Sequence, residues 1–151
     1  MTESIQTNEG ALFSTVSTID RLGLYADDTF RPKALTDFLR LSNADVSHIA
    51  GVSKKSVRYD AAIPKEMLER LEQIGNICNM VAQHFSGDPN KTALWFKTKN
   101  PMLGDIAPRD MIRFGRYDKL RRFVIGALVD QSRDDVATRR ESRAERTAAA
   151  L

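Results

Sequence analysis

Apolar residues recur at helical spacing along most of this chain, and the breaks between runs fall on glycine and proline. Leu12, Val16, Ile19 and Leu22 step by +4, +3 and +3 before Gly23, which predicts a short amphipathic helix behind a polar, aperiodic opening of about eleven residues expected to be disordered. Asp27-Asp28 and Arg31-Pro32 read as a connection, with the acidic pair a solvated loop. A helix is predicted after Pro32, with Ala34, Leu35, Phe38, Leu39 and Leu41 on its apolar face. Proline suits the first helical position because its missing N–H would lack a partner there. Ser42 ends that helix and is placed to cap the next.

The stretch from Asn43 to Asp60 is the one around which the N-terminal half is organised. Val46, Ile49 and Ala50 give one helical face, Gly51 supplies a sharp turn, and Val52 follows as a plug. Ser53 is a ready N-cap for a second short helix from Lys54 to Asp60 or Ala61, ended by Pro64, with Val57 pointing back into the corner. This is a helix-turn-helix pattern, in which the second helix is offered to a major groove. Ser53, Lys54, Lys55, Ser56, Arg58 and Tyr59 would then face phosphates and base edges of operator DNA. The plainer reading is a corner that only packs.

From Lys65 to Phe85, Met67, Leu71, Ile74, Cys78, Val81 and Phe85 alternate steps of four and three. Such a stripe fits a long core helix or the seam of a homodimer. Gly75 in its middle marks a bend or a close approach. Gly87, Asp88 and Pro89 then stop one helix, cap the next and open it, and this next helix carries Trp95 and Phe96. Lys99-Asn100-Pro101 is a turn, around which Met102, Leu103 and Ile106 are expected to be buried. Pro108 begins a short helix ended by Phe114-Gly115, and a last helix is predicted from Arg116 to Gln131. Beyond Asp134 little remains that is apolar, so the tail is read as nascent helix or disordered. No stretch alternates with a period of two for long, so the fold class expected is all-α.

Composition changes this picture only a little. The net charge of +3 divides as −4 over residues 1–30, +3 over 31–70, +4 over 71–133 and zero over 134–151, so positive charge begins with the predicted corner. Cys78 is the single cysteine, which excludes an internal disulfide and fits a reducing cytoplasm; the opening lacks a signal-peptide pattern, and the longest apolar run is far too short to span a bilayer. His48 and His84 have no ligand-type neighbours, and there is no phosphate loop or paired nucleophile and base. No metal, no cofactor, no membrane and no catalysis are expected.

Residues 89–128 carry a more specific signal: Ala93, Trp95, Phe96, then Asn100-Pro101-Met102-Leu103-Gly104, Pro108-Arg109-Asp110, Gly115 and a final amphipathic helix. In that order they resemble the toxin-binding domain of Xre/MbcA/ParS-type antitoxins, with Phe96 where leucine is usual and Asp105 where a second glycine is common. With the upstream corner, the resemblance covers about 100 residues. It implies an N-terminal arm (1–30), a helix-turn-helix region (31–64), a long connecting or dimerisation helix (65–86), a toxin-binding domain (87–133) and a charged tail (134–151). It also implies a type II antitoxin that binds a RES-domain toxin, one that consumes NAD or uses it for ADP-ribosylation, and that represses its own operon. Trp95, Asn100, Arg116, Tyr117, Lys119 and Arg122 are the toxin-binding candidates it nominates, with Arg139 and Arg140 behind them. The alternative is a stand-alone helix-turn-helix regulator of transcription.

Overall fold

The structure, a computed structural model, describes residues 19–149. It is built on a central helix, α3 (Lys65–His84), around which the other elements are wrapped. Before it come a two-residue hairpin, β1 (Tyr25–Ala26) and β2 (Thr29–Phe30), then α1 (Pro32–Leu39) and α2 (Asn43–Ala50); after it come α4 (Pro89–Lys97), α5 (Pro108–Arg113) and α6 (Tyr117–Ala149). The fold is all-α apart from that hairpin. Its strands are too short to register as an alternating pattern, and Asp27 and Asp28 form its turn with φ of 48° and 62°. The predicted helix over residues 12–22 lies mostly outside the described residues. The part that is described, from Ile19 to Leu22, is not helical. There the Asp20 carboxylate instead accepts the backbone N–H groups of Leu24 and Tyr25.

Several predicted caps are present. Ser42 and Asp45 exchange side-chain and backbone hydrogen bonds at the start of α2, a full capping box, and Gly51 ends the helix at φ 68°. Asp88 accepts from the backbone N–H groups of Asn90 and Lys91 to open α4, with Pro89 at its first position. These local signals are legible because each involves residues a few positions apart.

The α3 stripe is spent inside the chain. Met67, Leu71, Ile74 and Cys78 are fully buried and Val81 nearly so, and α3 packs against α1, α2, α4 and α6. Of the stripe only Phe85 at its end is partly exposed, too little for the dimer seam considered above. Ile77, Met80, Asn79 and Gly75 are buried as well, so α3 is covered well beyond one side. Gly75 marks a close approach: a Cβ there would lie 3.1 Å from Phe30 Cε2 and 3.3 Å from Leu24 Cδ1. One core therefore runs from Leu24 and Phe30 through α3 to Leu120 and Val124. Polar ties reinforce it where α5 meets the N-terminal half, Arg109 donating to the Arg40 carbonyl at 2.9 Å and Arg113 reaching Asp45 at 3.1 Å.

α6 lies beside α3 and runs in the same direction, because Arg70 stacks on Tyr117 at one end and His84 bonds Gln131 at the other. It continues far beyond the predicted end at Gln131, to Ala149. The alanine, arginine and glutamate of that stretch are good helix formers even without a core to dock on. No described helix is long and apolar enough to cross a membrane.

Candidate functional site

Two surfaces carry the sequence-nominated residues. The first is the corner after Gly51. Its second helix is reduced to a single 3-10 turn, Lys54–Ser56, after which Val57 is already extended at φ −71° and ψ 110°. The recognition helix expected to reach Asp60 is thus replaced by irregular chain. Four pieces of local chemistry favour this outcome: β-branched Val57, the Arg58–Asp60 pair, the Asp60 carboxylate accepting the Ala62 N–H, and Pro64. The side-chain inventory changes accordingly. Ser53 and Ser56 share a hydroxyl–hydroxyl hydrogen bond of 2.7 Å. Tyr59, expected to be exposed, is half-buried against the core with the Lys33 ammonium 5.1 Å from its ring centre. Arg58 is held by Asp60, whose carboxyl the guanidinium keeps below its ordinary value. Only Lys54 and Lys55 remain as exposed cations of the six nominated residues without a described partner.

The second surface lies at the other end of α3. There the helix, α4, the 3-10 turn Pro101–Leu103 and α6 enclose an open cleft of about 560 Å³. Trp95, Phe85, Met80, Phe123 and Leu128 supply its apolar lining, with Asn100 and Gln131 among its polar groups. Asn100 is built in twice: its Oδ1 accepts the Met102 N–H at 3.0 Å, and its backbone N–H donates to the Ile106 carbonyl at 3.2 Å. Trp95 is half-buried, edge-on to the fully buried Phe96. At the cleft's lip stands Met102, 79% exposed. The burial expected for it goes to Leu103 instead, because neighbours in a 3-10 turn point about 120° apart and only one can face the core. Asp130 and Asp134, one turn apart on α6, give this end an acidic rim.

The remaining nominated residues sit elsewhere. Arg116, Lys119 and Arg122 are exposed at the start of α6, and Tyr117 is half-buried with the Arg70 guanidinium 4.4 Å from its ring centre. The cleft's lining on α6 begins at Phe123, about 9 Å along the helix from Tyr117, and none of these four residues lines it, so the cationic start and the cleft adjoin along one helix without forming one pocket. Arg116 and Lys119 oppose the positive end of the α6 macrodipole, a placement that does nothing for helix stability. Trp95 and Asn100 are thus brought together, the four residues around the α6 start are set apart, and Met102, Phe123 and Leu128 complete the cleft. Leu128 falls with Leu120, Val124 and Ala127 on the apolar stripe of the last helix, whereas Phe123 lies beside that stripe and no local signal distinguished Met102 from Leu103.

Among the described residues no cluster of histidine, cysteine, aspartate or glutamate is arranged to hold a metal ion. Cys78 is buried, and burial pushes its thiol well above the ordinary range, away from nucleophilic chemistry. What the two surfaces offer is binding area: an apolar cleft with an acidic rim, a cationic helix start, and a lysine pair on a corner. The chain matches no protein-family model, no curated protein and no solved structure.

Proposed function

We propose that this chain is an antitoxin that neutralises a toxin protein by direct binding. The observation that carries the reading is the exposed Met102 beside Trp95, at the lip of an apolar cleft formed by the same Trp and Asn-Pro-Met-Leu-Gly segment that resembles the antitoxin family. A solvent-facing methionine on a concave apolar surface is an adaptable contact for a protein partner. A partner laid along α6 would cover the cleft and also meet Arg116, Lys119 and Arg122, whose charge suits a toxin site built for a phosphate-bearing dinucleotide. That fits a RES-type toxin acting on NAD, met in the cytoplasm. The chain itself contributes shape and charge and carries out no reaction.

The test is genetic and biochemical together. The partner that co-purifies with the chain should be toxic when expressed alone and harmless when expressed with it. Met102→Asp should abolish both the complex and the protection. A Met102→Asp chain that still protects would remove the cleft from the account, and a partner harmless by itself would end the antitoxin reading.

The second reading, a stand-alone regulator, is favoured by the exposed Lys54 and Lys55 on the corner. With one 3-10 turn in place of a recognition helix, contact with DNA would come mainly from these lysines on phosphates. The two readings separate on whether the purified chain binds a specific operator tightly without any protein partner. Operator repression alongside antitoxin action would need the same lysines, as a homodimer or with the toxin bound.

A further inference from the structure

Beyond Gln131, α6 runs on to Ala149 with almost every residue exposed, and its charges are sorted by side. Residues 134–151 carry no net charge, yet successive helical residues turn by about 100°, and that rotation separates the signs. Arg139, Arg140, Arg143 and Arg146 fall within an arc of about 120°, and Arg133 lies about 20° beyond its edge. Asp130, Asp134, Glu141 and Glu145 occupy an arc of about 60° on the opposite side, and Asp135 alone stands next to the arginines. Val129 and Val136, 40% and 47% exposed, lie on the arginine face. Arg139, Arg143 and Arg146 meet Thr138 and Ser142 around one open depression of about 410 Å³.

This arrangement does not serve the helix. From Arg139 to Arg146 every pair of charges three or four residues apart is of like sign: Arg139–Arg143, Arg140–Arg143, Arg143–Arg146 and Glu141–Glu145. Like charges at that spacing destabilise a helix, and an anion laid on the arginines from outside would relieve the repulsion. Among the described residues none of the five arginines forms an ion pair, so all five remain open to such an anion.

We propose that this face docks on the phosphate backbone of duplex DNA, with α6 laid in the major groove. Its cations are all arginines, since no lysine occurs after Lys119, and guanidinium groups clasp phosphate oxygens in pairs. A helix about 10–12 Å across fits the major groove of B-form DNA, about 12 Å wide, whereas the corresponding groove of an RNA duplex is too narrow. Arginines spread over about 120° reach both walls of such a groove, and Arg133 and Arg146 are about 20 Å apart along its length. An anionic bilayer would require an apolar stripe to bury, but residues 137–149 contain no valine, leucine, isoleucine, methionine or aromatic residue. A second copy would have to set its acidic side on the arginines, a heterologous contact that leaves its own arginines uncovered. The proposal goes beyond the second reading above, which gave DNA only the corner lysines, and it is independent of the antitoxin reading.

Fluorescence anisotropy of a short labelled DNA duplex, titrated with the full-length chain at several salt concentrations, tests the proposal. Arg139→Ala/Arg140→Ala/Arg143→Ala should weaken binding about tenfold or more at low salt and lower the salt slope by about three. Lys91→Ala/Lys97→Ala/Lys99→Ala removes the same charge from exposed positions on and after α4 and should leave affinity within about twofold. Equal effects of the two triples would reduce the binding to net charge and overturn the assignment. So would a wild-type chain that ignores the duplex at low salt, or one that prefers an RNA duplex of the same sequence. Anionic vesicles bound by the wild type and released by the arginine triple would give the face to a membrane. Oligomers of the wild type that vanish in the arginine triple, seen by sedimentation, would give it to a second copy; either result stands against the proposal. Alanine is the stronger helix former, so the triple variant should keep its helical ellipticity. If it does not, Arg143→Ala decides alone: its slope should fall by about one, and an unchanged slope sinks the assignment. Lys54→Ala/Lys55→Ala in the same titration keeps the two surfaces apart. Binding lost with the lysines and kept without the arginines would leave the second reading standing and remove this face.

Discussion

The Arg58 guanidinium grips the Asp60 carboxylate two residues on, with Nε and one terminal nitrogen 2.8 and 2.6 Å from its two oxygens. Both side chains are more than half exposed, so the pair is formed in water and screened by salt. It nevertheless occupies the cation that a recognition helix would have aimed at DNA. In a titration of duplex DNA at low salt, Arg58→Ala should change affinity less than either Lys54→Ala or Lys55→Ala. Each lysine lost should lower the salt slope by about one phosphate contact. Asp60→Asn, by releasing Arg58, should raise affinity severalfold. An Arg58→Ala effect larger than that of both lysines would return the corner to a helix-in-groove mode of binding.

Met102 allows fold and binding to be separated. At 79% exposure its replacement by aspartate removes little buried area, so the melting temperature should move by no more than about 2 °C. Trp95→Ala, at a half-buried position on the core, should cost about 2–3 kcal/mol of stability, measured by urea denaturation. A Met102→Asp variant that unfolds as readily as Trp95→Ala would place Met102 in the core.

Asp45 ties α2 to α5, and its titration has a defined sign. Burial alone would raise its carboxyl, but hydrogen bonds from the Ser42 backbone N–H and from Arg113 outweigh burial and hold it below the ordinary 3.8. A carboxyl lowered in the folded state contributes stability above its unfolded value, and that contribution is lost as the pH falls through the lower folded one. The difference in stability between wild type and Asp45→Asn should therefore be full above about pH 4.5, about 1 kcal/mol, and should shrink as the pH drops below 3.8. Unfolding curves at pH 3 and pH 7 measure it, and a difference that grows toward acid would reverse the assignment.

Gly75→Ala sets helix propensity against space. Alanine gains about 1 kcal/mol in a helix interior. Its methyl, however, would press on the buried Phe30 and Leu24, which would have to give way by a few tenths of an ångström. Overpacking of that kind costs about 1–3 kcal/mol, so the net change should be destabilising by about 1 kcal/mol. A gain in denaturation midpoint would show that the hairpin yields.

Cys78 should be inert toward a thiol reagent in the native protein and should react only through opening of the core, because it is completely buried and its thiol is pushed upward by that burial. Its modification rate should follow global stability across the variants above. Fast reaction of the wild-type protein would mean that the core opens locally around α3.

By itself the sequence determined the helical class, the positions of α1 to α5, the caps at Ser42, Gly51 and Asp88, and the helix start at Pro108. All of these depend on residues within a turn or two of one another, where periodicity and capping chemistry act directly. It also marked the α3 stripe as apolar and Gly75 as a bend or a close approach. Tertiary structure alone decided what those features meet. The stripe that fitted a dimer seam is buried in its own chain, because α1, α2, α4 and α6 all converge on α3. The expected recognition helix yields to a 3-10 turn because Arg58, Tyr59 and Asp60 find partners that a helix would forbid. Met102 and Leu103 are adjacent and equally apolar in sequence, yet one is buried and the other stands at the lip of the cleft. Which of two neighbours faces inward is set by the rotation of a single turn against helices far along the chain, and no local pattern carries that information.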